Sequence, residues 1–307
     1  MRAVVQNDKR RASGGVRIGL AVLTLAAIAS GCAQGDNGRV TAAGGQQPLD
    51  APPARALDSY ASKLRAAHAA RVAAAQRWGL RTVPLTAPPA PAKKPRIRTR
   101  EGFAVKGHRR LNLPPVFTTV PTRDKVVFLT IDDGAEKDPA FLRMMSDLKV
   151  PYSAFLSGYL IRNDYGYFEK MQDRGVVLNN HTLRHRLMRG LPYRTQKREI
   201  CGMQRLIEKR YGTRPTLFRP PYGSYDRATL RAAKACGIEY APLWNEEVFA
   251  DHWEYRERDR RLHPGDIVLT HFRGRDHWQG TMPDMIRRFL DKVTAEGYAV
   301  GRLEDYL

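Results

Sequence analysis

Val126-Val-Phe-Leu-Thr-Ile131 followed directly by Asp132-Asp133-Gly134 decides the fold. A short run of β-branched and aromatic residues with no polar alternation reads as a strand buried on both faces, which is the habit of parallel sheets covered by helices. Two acids and a glycine then end it abruptly. Working outward, similar runs recur at Ser153–Ser157, Val176–Asn180, Thr216–Phe218, Glu239–Leu243, Asp266–Thr270 and Tyr298–Arg302. Longer segments of helical period separate most of them. Asp138-Pro139 is an N-cap with proline at the first helical position, Arg194–Arg210 is amphipathic, Asp226 caps Arg227–Cys236, and Gly297 ends Met282–Glu296. Alternating β and α segments imply a parallel α/β domain. The stretch is shorter than the roughly 250 residues of a full eight-unit barrel, so a small or incomplete barrel is expected.

In such a barrel the reactive groups gather where strands end and βα loops begin. The polar residues obey this rule. Asp132-Asp133-Gly134 follows the first strand, His181-Thr-Leu-Arg-His185 the third, Arg219-Pro-Pro-Tyr-Gly223 the fourth, Trp244–Trp253 the fifth, and His271 ends the sixth. One carboxylate and two imidazoles suit a zinc-like ion, and three protein ligands leave a coordination position open, as catalytic sites require. A lone His-x-x-x-His or Asp-Asp-Gly means little; their joint placement at strand ends carries the inference. Successive residues leaving a strand point in different directions, so one aspartate is expected on the metal and the other facing the attacking water as its base. Arg219 is placed to orient that base, the rigid Pro-Pro-Tyr-Gly turn to aim backbone amides at an oxyanion, and His271 to protonate the leaving amine. His68, His108, His252, His263 and His277 receive no role.

Together these segments resemble the polysaccharide deacetylases of carbohydrate esterase family 4, the NodB homology domain. Thr130-Ile131-Asp132-Asp133-Gly134, His181 to His185, Arg219 to Gly223 and Leu269-Thr270-His271 follow its motifs in order over Pro121–Leu307. The resemblance implies a distorted (β/α)7 TIM-like barrel that hydrolyses acetyl groups. It makes Asp132 the base, Asp133, His181 and His185 the ligands of a divalent ion (zinc, with cobalt or nickel as alternatives), Arg219 the orienting residue and His271 the acid. Tyr222 would lend a backbone amide to the oxyanion, and Leu269 would line the acetyl pocket. The fourth motif departs: Trp244-Asn-Glu-Glu247 and Asp251-His-Trp253 stand where the family usually has an aspartate and an Asp-Trp. Glu247 is read as the substitute carboxylate tuning His271, and Trp253 as part of the sugar-binding wall. Phe272 replaces an aspartate that often follows the last motif.

The rest of the chain concerns location. Residues 1–31 read as a signal peptide: Lys9, Arg10, Arg11 and Arg17 precede the uncharged run Ile18–Ala29, too short to span a bilayer. Ala29-Ser30-Gly31-Cys32 resembles a bacterial lipobox, making Cys32 the lipidated residue, with an ordinary cleavage near Ala33 as the alternative. The protein is therefore expected on the outer side of the cell membrane as a lipoprotein, or secreted. Residues 32–120 read as an Ala/Pro-rich basic tether with one helix over about 56–78, and 121–307 as the catalytic domain. In an oxidising compartment Cys201 and Cys236 can form a disulfide, or remain two buried thiols.

The balance of 52 Lys+Arg against 31 Asp+Glu, net +21 over 307 residues, implies anionic partners. Export excludes nucleic acid and favours headgroups or anionic wall polymers. An acetylated polysaccharide is the expected substrate. An O-acetyl xylan esterase using the same site, and a wall-glycan-binding barrel without turnover, are the competing readings.

Overall fold

The structure, a computed structural model, describes residues 54–307. The expected signal peptide and Cys32 lie outside them. The chain divides into two units between Lys63 and Leu64. Of the first, only Ala54–Lys63 is described, as the opening turns of helix α1 (Ala54–Arg77). The second unit carries everything that follows.

The quoted run becomes β2 (Val126–Asp133), buried along its whole length. It pairs in parallel with β3 (Ser153–Leu156) on one side. On the other side, β9 (Ala299–Gly301) takes Val126–Phe128 and β8 (Ile267–His271) takes Phe128–Asp132. β3 continues to β4 (Val177–Asn180), and β8 to β6 (Glu246–Val248), whose antiparallel partner is β7 (Trp253–Tyr255).

Helices cover the outside of this sheet. α2 (Pro139–Leu148) starts at Asp138, whose carboxylate accepts from the Ala140 N–H at 2.7 Å. α3 (Gly158–Ile161) and α4 (Tyr165–Gln172) follow β3. α5 (Tyr193–Tyr211) precedes α6 (Arg227–Ala235), which opens with a reciprocal Asp226–Thr229 capping box. α7 (Met282–Ala295) has the same device in Thr281 and Asp284. Its buried stripe of Met285, Ile286, Phe289, Leu290 and Val293 follows the 3.6-residue period onto the sheet. Burying each of the larger side chains contributes about 1.5–3 kcal/mol. Cys201 on α5 and Cys236 after α6 are joined as a disulfide, with Cα atoms 5.0 Å apart.

The expected strands Thr216–Phe218 and Glu239–Leu243 are reduced to the bridges Asn180↔Phe218 and Leu217↔Tyr240 and to the two-residue β5 (Ala241–Pro242). Pro215, Pro220 and Pro242 lack the N–H that a continuous ladder needs. β5 pairs with β1 (Val116–Phe117), and Thr119 bridges to Asp266 at the start of β8, completing the circuit of a distorted barrel.

That closure corrects the expected boundary at residue 121. Leu113, Val116, Phe117 and Val120 are buried, so the folded part begins inside the segment read as tether. Val120 N–H donates to the Gly265 carbonyl at 2.8 Å. Gly265 has φ +84°, and a Cβ there would collide with the Val120 carbonyl oxygen. The late part of α1 also docks. Ala74 and Ala75 are buried, and Arg77 Nη1 and Trp78 Nε1 reach Asp147 at 3.0 and 2.9 Å.

Candidate metal and catalytic site

β2 does not simply stop. Asp133 and Gly134 take φ +81° and +88°, left-handed values that turn the chain sharply. A Cβ on Gly134 would lie 2.7 Å from Ile161 Cγ2, so only glycine fits this bend. The turn cancels the strand alternation expected to send the two aspartates apart. Both approach one imidazole: His181 Nε2 is 3.6 Å from Asp132 Oδ2 and 3.7 Å from Asp133 Oδ1.

The histidines come from the loop after β4, which also contains left-handed residues, Thr182 and His185. Side chains hold this loop in place. Asn180 Oδ1 accepts from the Thr182 N–H at 2.9 Å, while its Nδ2 donates to Gln204 Oε1 and the Ile200 carbonyl on α5, each at 2.9 Å. His185 Nε2 is thereby set 3.2 Å from Asp133 Oδ1. His181 Nδ1 lies 2.7 Å from the Arg219 carbonyl. That carbonyl accepts the Nδ1–H, leaving Nε2 with a free lone pair turned toward Asp133.

The residues fit a divalent ion. Asp133, His181 and His185 place ligand atoms within 4.8 Å of one another. Bonds of about 2.0 Å to a tetrahedral ion give ligand edges of about 3.3 Å, near the distances found. Asp133 Oδ1 is buried and has no hydrogen-bond partner among the described residues, the state of an atom reserved for a cation. Burial drives both histidines down to about 4, so they are neutral, as ligands must be. Burial pushes Asp133 upward, but the positive charges facing it, that of His271 first and that of Arg273 with it, hold it below the ordinary carboxylate range.

Asp132 has the opposite environment. Burial raises its proton affinity by more than Arg219 lowers it. Arg219 is itself fully buried. Its Nη1 donates to Asp132 Oδ1 at 2.7 Å and its Nε to the Pro242 carbonyl at 3.0 Å, while the guanidinium lies 4.3 Å from the Phe155 ring centre. A cation so anchored leaves Asp132 one orientation and a basicity above that of a free carboxylate. Tyr222, with φ +62° and 64% exposed, sits at the mouth, its ring 4.7 Å from that of His185.

Across the barrel mouth, His271 is the register partner of Asp132. Its Nδ1 lies 3.2 Å from Glu247 Oε1, the position expected of the substitute carboxylate. Burial would lower His271, but the hydrogen bond and charge of Glu247, with Asp133 and Asp132, raise it to about 9. Leu269 is buried two residues earlier, hence on the same side of β8, beside Thr130 and Glu247.

Trp253 is the exception. It stacks 6.1 Å from Phe289 of α7 and 6.0 Å from Tyr255, with Lys292 Nζ 5.8 Å away, so it belongs to the outer helix layer and not to a sugar-binding wall. The cause is the β6–β7 hairpin. Trp253 pairs with Val248, a residue of the core under α7. Phe272 likewise faces outward, packed on Phe141 and Phe168 with both ring centres at 5.9 Å.

Sequence reasoning missed Arg273, whose Nη2 lies 2.5 Å from Asp133 Oδ2. Its only sequence signal is closeness to His271, because the contact depends on the tight turn in which the Arg273 N–H meets the His271 carbonyl at 3.0 Å.

The sequence and the fold are similar to those of known proteins. The family model described as polysaccharide deacetylase matches residues 119–241. An uncharacterized Streptomyces coelicolor protein is 44% identical over 201 residues, covering 65% of this chain and 80% of its own length. A peptidoglycan-N-acetylglucosamine deacetylase of Bacillus cereus is 26% identical over 197 residues, 58% of this chain and 86% of that one. The structure of a family 4 carbohydrate esterase from Bacillus anthracis superposes with a TM-score of 0.53 at 25% identity, covering 67% of this chain and 93% of the other. The chain belongs to the polysaccharide deacetylase family, carbohydrate esterase family 4.

Proposed function

We propose that this protein removes N-acetyl groups from N-acetylglucosamine-containing polysaccharide, peptidoglycan or a chitin-like glycan, at the cell envelope. The carrying observation is the pairing of a buried, Arg219-held Asp132 with the Asp133, His181 and His185 donor set, opposite a proton-retaining His271. The zinc-like ion this set would hold, with cobalt or nickel as substitutes, would polarise the acetyl carbonyl and acidify the attacking water.

The chain's own groups do the rest. Asp132 accepts a proton from the water as it attacks, and Arg219 keeps the carboxylate aimed. The backbone N–H of Tyr222 faces the developing oxyanion. His271, protonated at neutral pH, passes a proton to the departing amine nitrogen, and Glu247 stabilises the charged imidazole. Leu269 forms apolar floor for the acetyl methyl. Export and lipid attachment through Cys32 put the enzyme beside wall polymer, and the excess positive charge favours anionic wall components. The similarity to the peptidoglycan-N-acetylglucosamine deacetylase of Bacillus cereus supports the same substrate class.

Acetate release by the metal-loaded protein from peptidoglycan fragments, chitin oligomers and acetylated xylan tests this, with Asp132→Asn as control. Release from the N-acetylated glycans that the variant lacks is expected. Release from xylan alone would make it an O-acetyl esterase, and release from none would leave a glycan-binding barrel.

A further inference from the structure

A second group of metal-ligand side chains lies at Glu246 on β6, Asp266 just before β8, and His263 on the preceding turn. Their ligand atoms fall within 4.8 Å of one another. Glu246 and Asp266 are completely buried, and neither oxygen of Glu246 has a hydrogen-bond partner among the described residues. Asp266 Oδ1 accepts from Asn245 Nδ2 at 2.6 Å and Thr119 Oγ1 at 3.0 Å. Its Oδ2 accepts from the His263 N–H at 2.7 Å and lies 3.2 Å from His263 Nδ1.

Two buried carboxylates this close cannot both stay charged without a proton or a cation between them. Besides His263, whose proton affinity burial would lower but Asp266 and Asp259 together raise, the neighbouring side-chain cations have other partners. Arg100 Nη2 pairs with Glu257 at 2.5 Å, Lys292 Nζ with Glu296 at 2.5 Å, and Arg256 Nε donates to the Trp244 carbonyl at 3.1 Å. Burial, followed by the charge of Asp266 and the hydrogen bond that a protonated Glu246 makes to it, and then by Glu257 and Glu296, raises the proton affinity of Glu246 to about 10, so a cation entering the pocket displaces a proton.

We propose that Glu246, Asp266 and His263 bind a second divalent cation of the zinc or manganese class, separate from the one at Asp133, His181 and His185. Two carboxylates and one imidazole are donors suited to such ions. The 3.2 Å between His263 Nδ1 and Asp266 Oδ2 is close to the about 3.3 Å edge of a tetrahedral ion with 2.0 Å bonds. His263 Nε2 lies 3.0 Å from Asp259 Oδ2. With that carboxylate accepting the Nε2–H, loss of the other ring proton to an incoming cation would turn the Nδ1 lone pair to the pocket, an arrangement that outer carboxylates commonly impose on metal-binding histidines. The His263 side chain is 42% exposed, which provides an entry route. The ion would tie the start of β6 to that of β8, the two strands that also carry Glu247 and His271.

The test strips the full chain with chelator, loads it separately with zinc or manganese ion, and counts bound metal by mass spectrometry after gel filtration. Two equivalents are expected for the wild type, one for Glu246→Gln and one for His185→Ala. His263→Ala, on the surface, provides the same reading should Glu246→Gln fail to fold. Asp259→Asn should weaken the second equivalent about 10–100-fold. A single equivalent in the wild type that survives His263→Ala, or two equivalents unchanged by His263→Ala and Glu246→Gln, overturns the proposal and leaves a proton bridging the pair. Metal counting is independent of deacetylase activity, so either proposal can fail alone.

Discussion

Asp132-Asp133 at the end of β2 and Glu246-Glu247 at the start of β6 are both neighbouring acids, and the backbone treats them in opposite ways. The left-handed turn at Asp133 brings the first pair onto one imidazole, 3.6 and 3.7 Å away. β6 continues as a regular strand, so alternation separates the second pair. Glu247 meets His271 at 3.2 Å, whereas Glu246 shares its side of the strand with Val248, which packs in the core under α7. Convergence lets two carboxylates serve one reaction centre. Divergence gives one carboxylate to the mouth and buries the other beside Asp266, where burial and then that second carboxylate raise its proton affinity to about 10.

Breaking the convergent pair should have the largest effect. Asp133→Ala is expected to abolish both metal retention at that site and acetate release, read by metal analysis and assay. Asp132→Asn should retain the metal while kcat falls about 10²–10⁴-fold, the usual contribution of a positioned base. Equal metal loss in both variants would mean that the two aspartates do not divide the work.

Arg219→Ala removes the partner of a buried carboxylate. Breaking a buried ion pair from one side costs about 3–5 kcal/mol. A denaturant midpoint that scarcely moves would show that Asp132 is accommodated without Arg219.

The smallest effect is expected from the divergent pair, in Glu247→Gln. His271 must be protonated to act as acid, so turnover is sustained below about 9 and lost as pH rises through that value. Removing the Glu247 charge lowers the proton affinity, and the alkaline limb of kcat moves to lower pH. Activity on that side falls about tenfold for each unit the limb moves. A limb that stays in place would detach Glu247 from the acid.

Much of the site was legible because its determinants are local. Asp133, His181, His185, Asp132, Arg219 and His271 stand at the ends of apolar runs, and a parallel barrel directs strand ends to one mouth whatever the details of closure. Glu247 was legible as the nearest carboxylate in a position where the family has another. What lies beyond depended on partners distant in sequence. The strand at Val116–Phe117 has only two residues and gains its place from β5 and the bridge to Asp266, so a basic, proline-rich context concealed it. Trp253 reads as an aromatic beside a motif, and only the hairpin with β6 turns it onto Phe289. Arg273 has no signal beyond its closeness to His271.

The sequence by itself determined the parallel α/β class and the candidate set of Asp132, Asp133, His181 and His185, since residue type and placement at successive strand ends suffice for these. Only the tertiary structure decided that Asp132 and Asp133 converge, that Glu246 and Glu247 part, and where the barrel closes. Those outcomes rest on backbone dihedrals and strand pairings set by the whole packed chain.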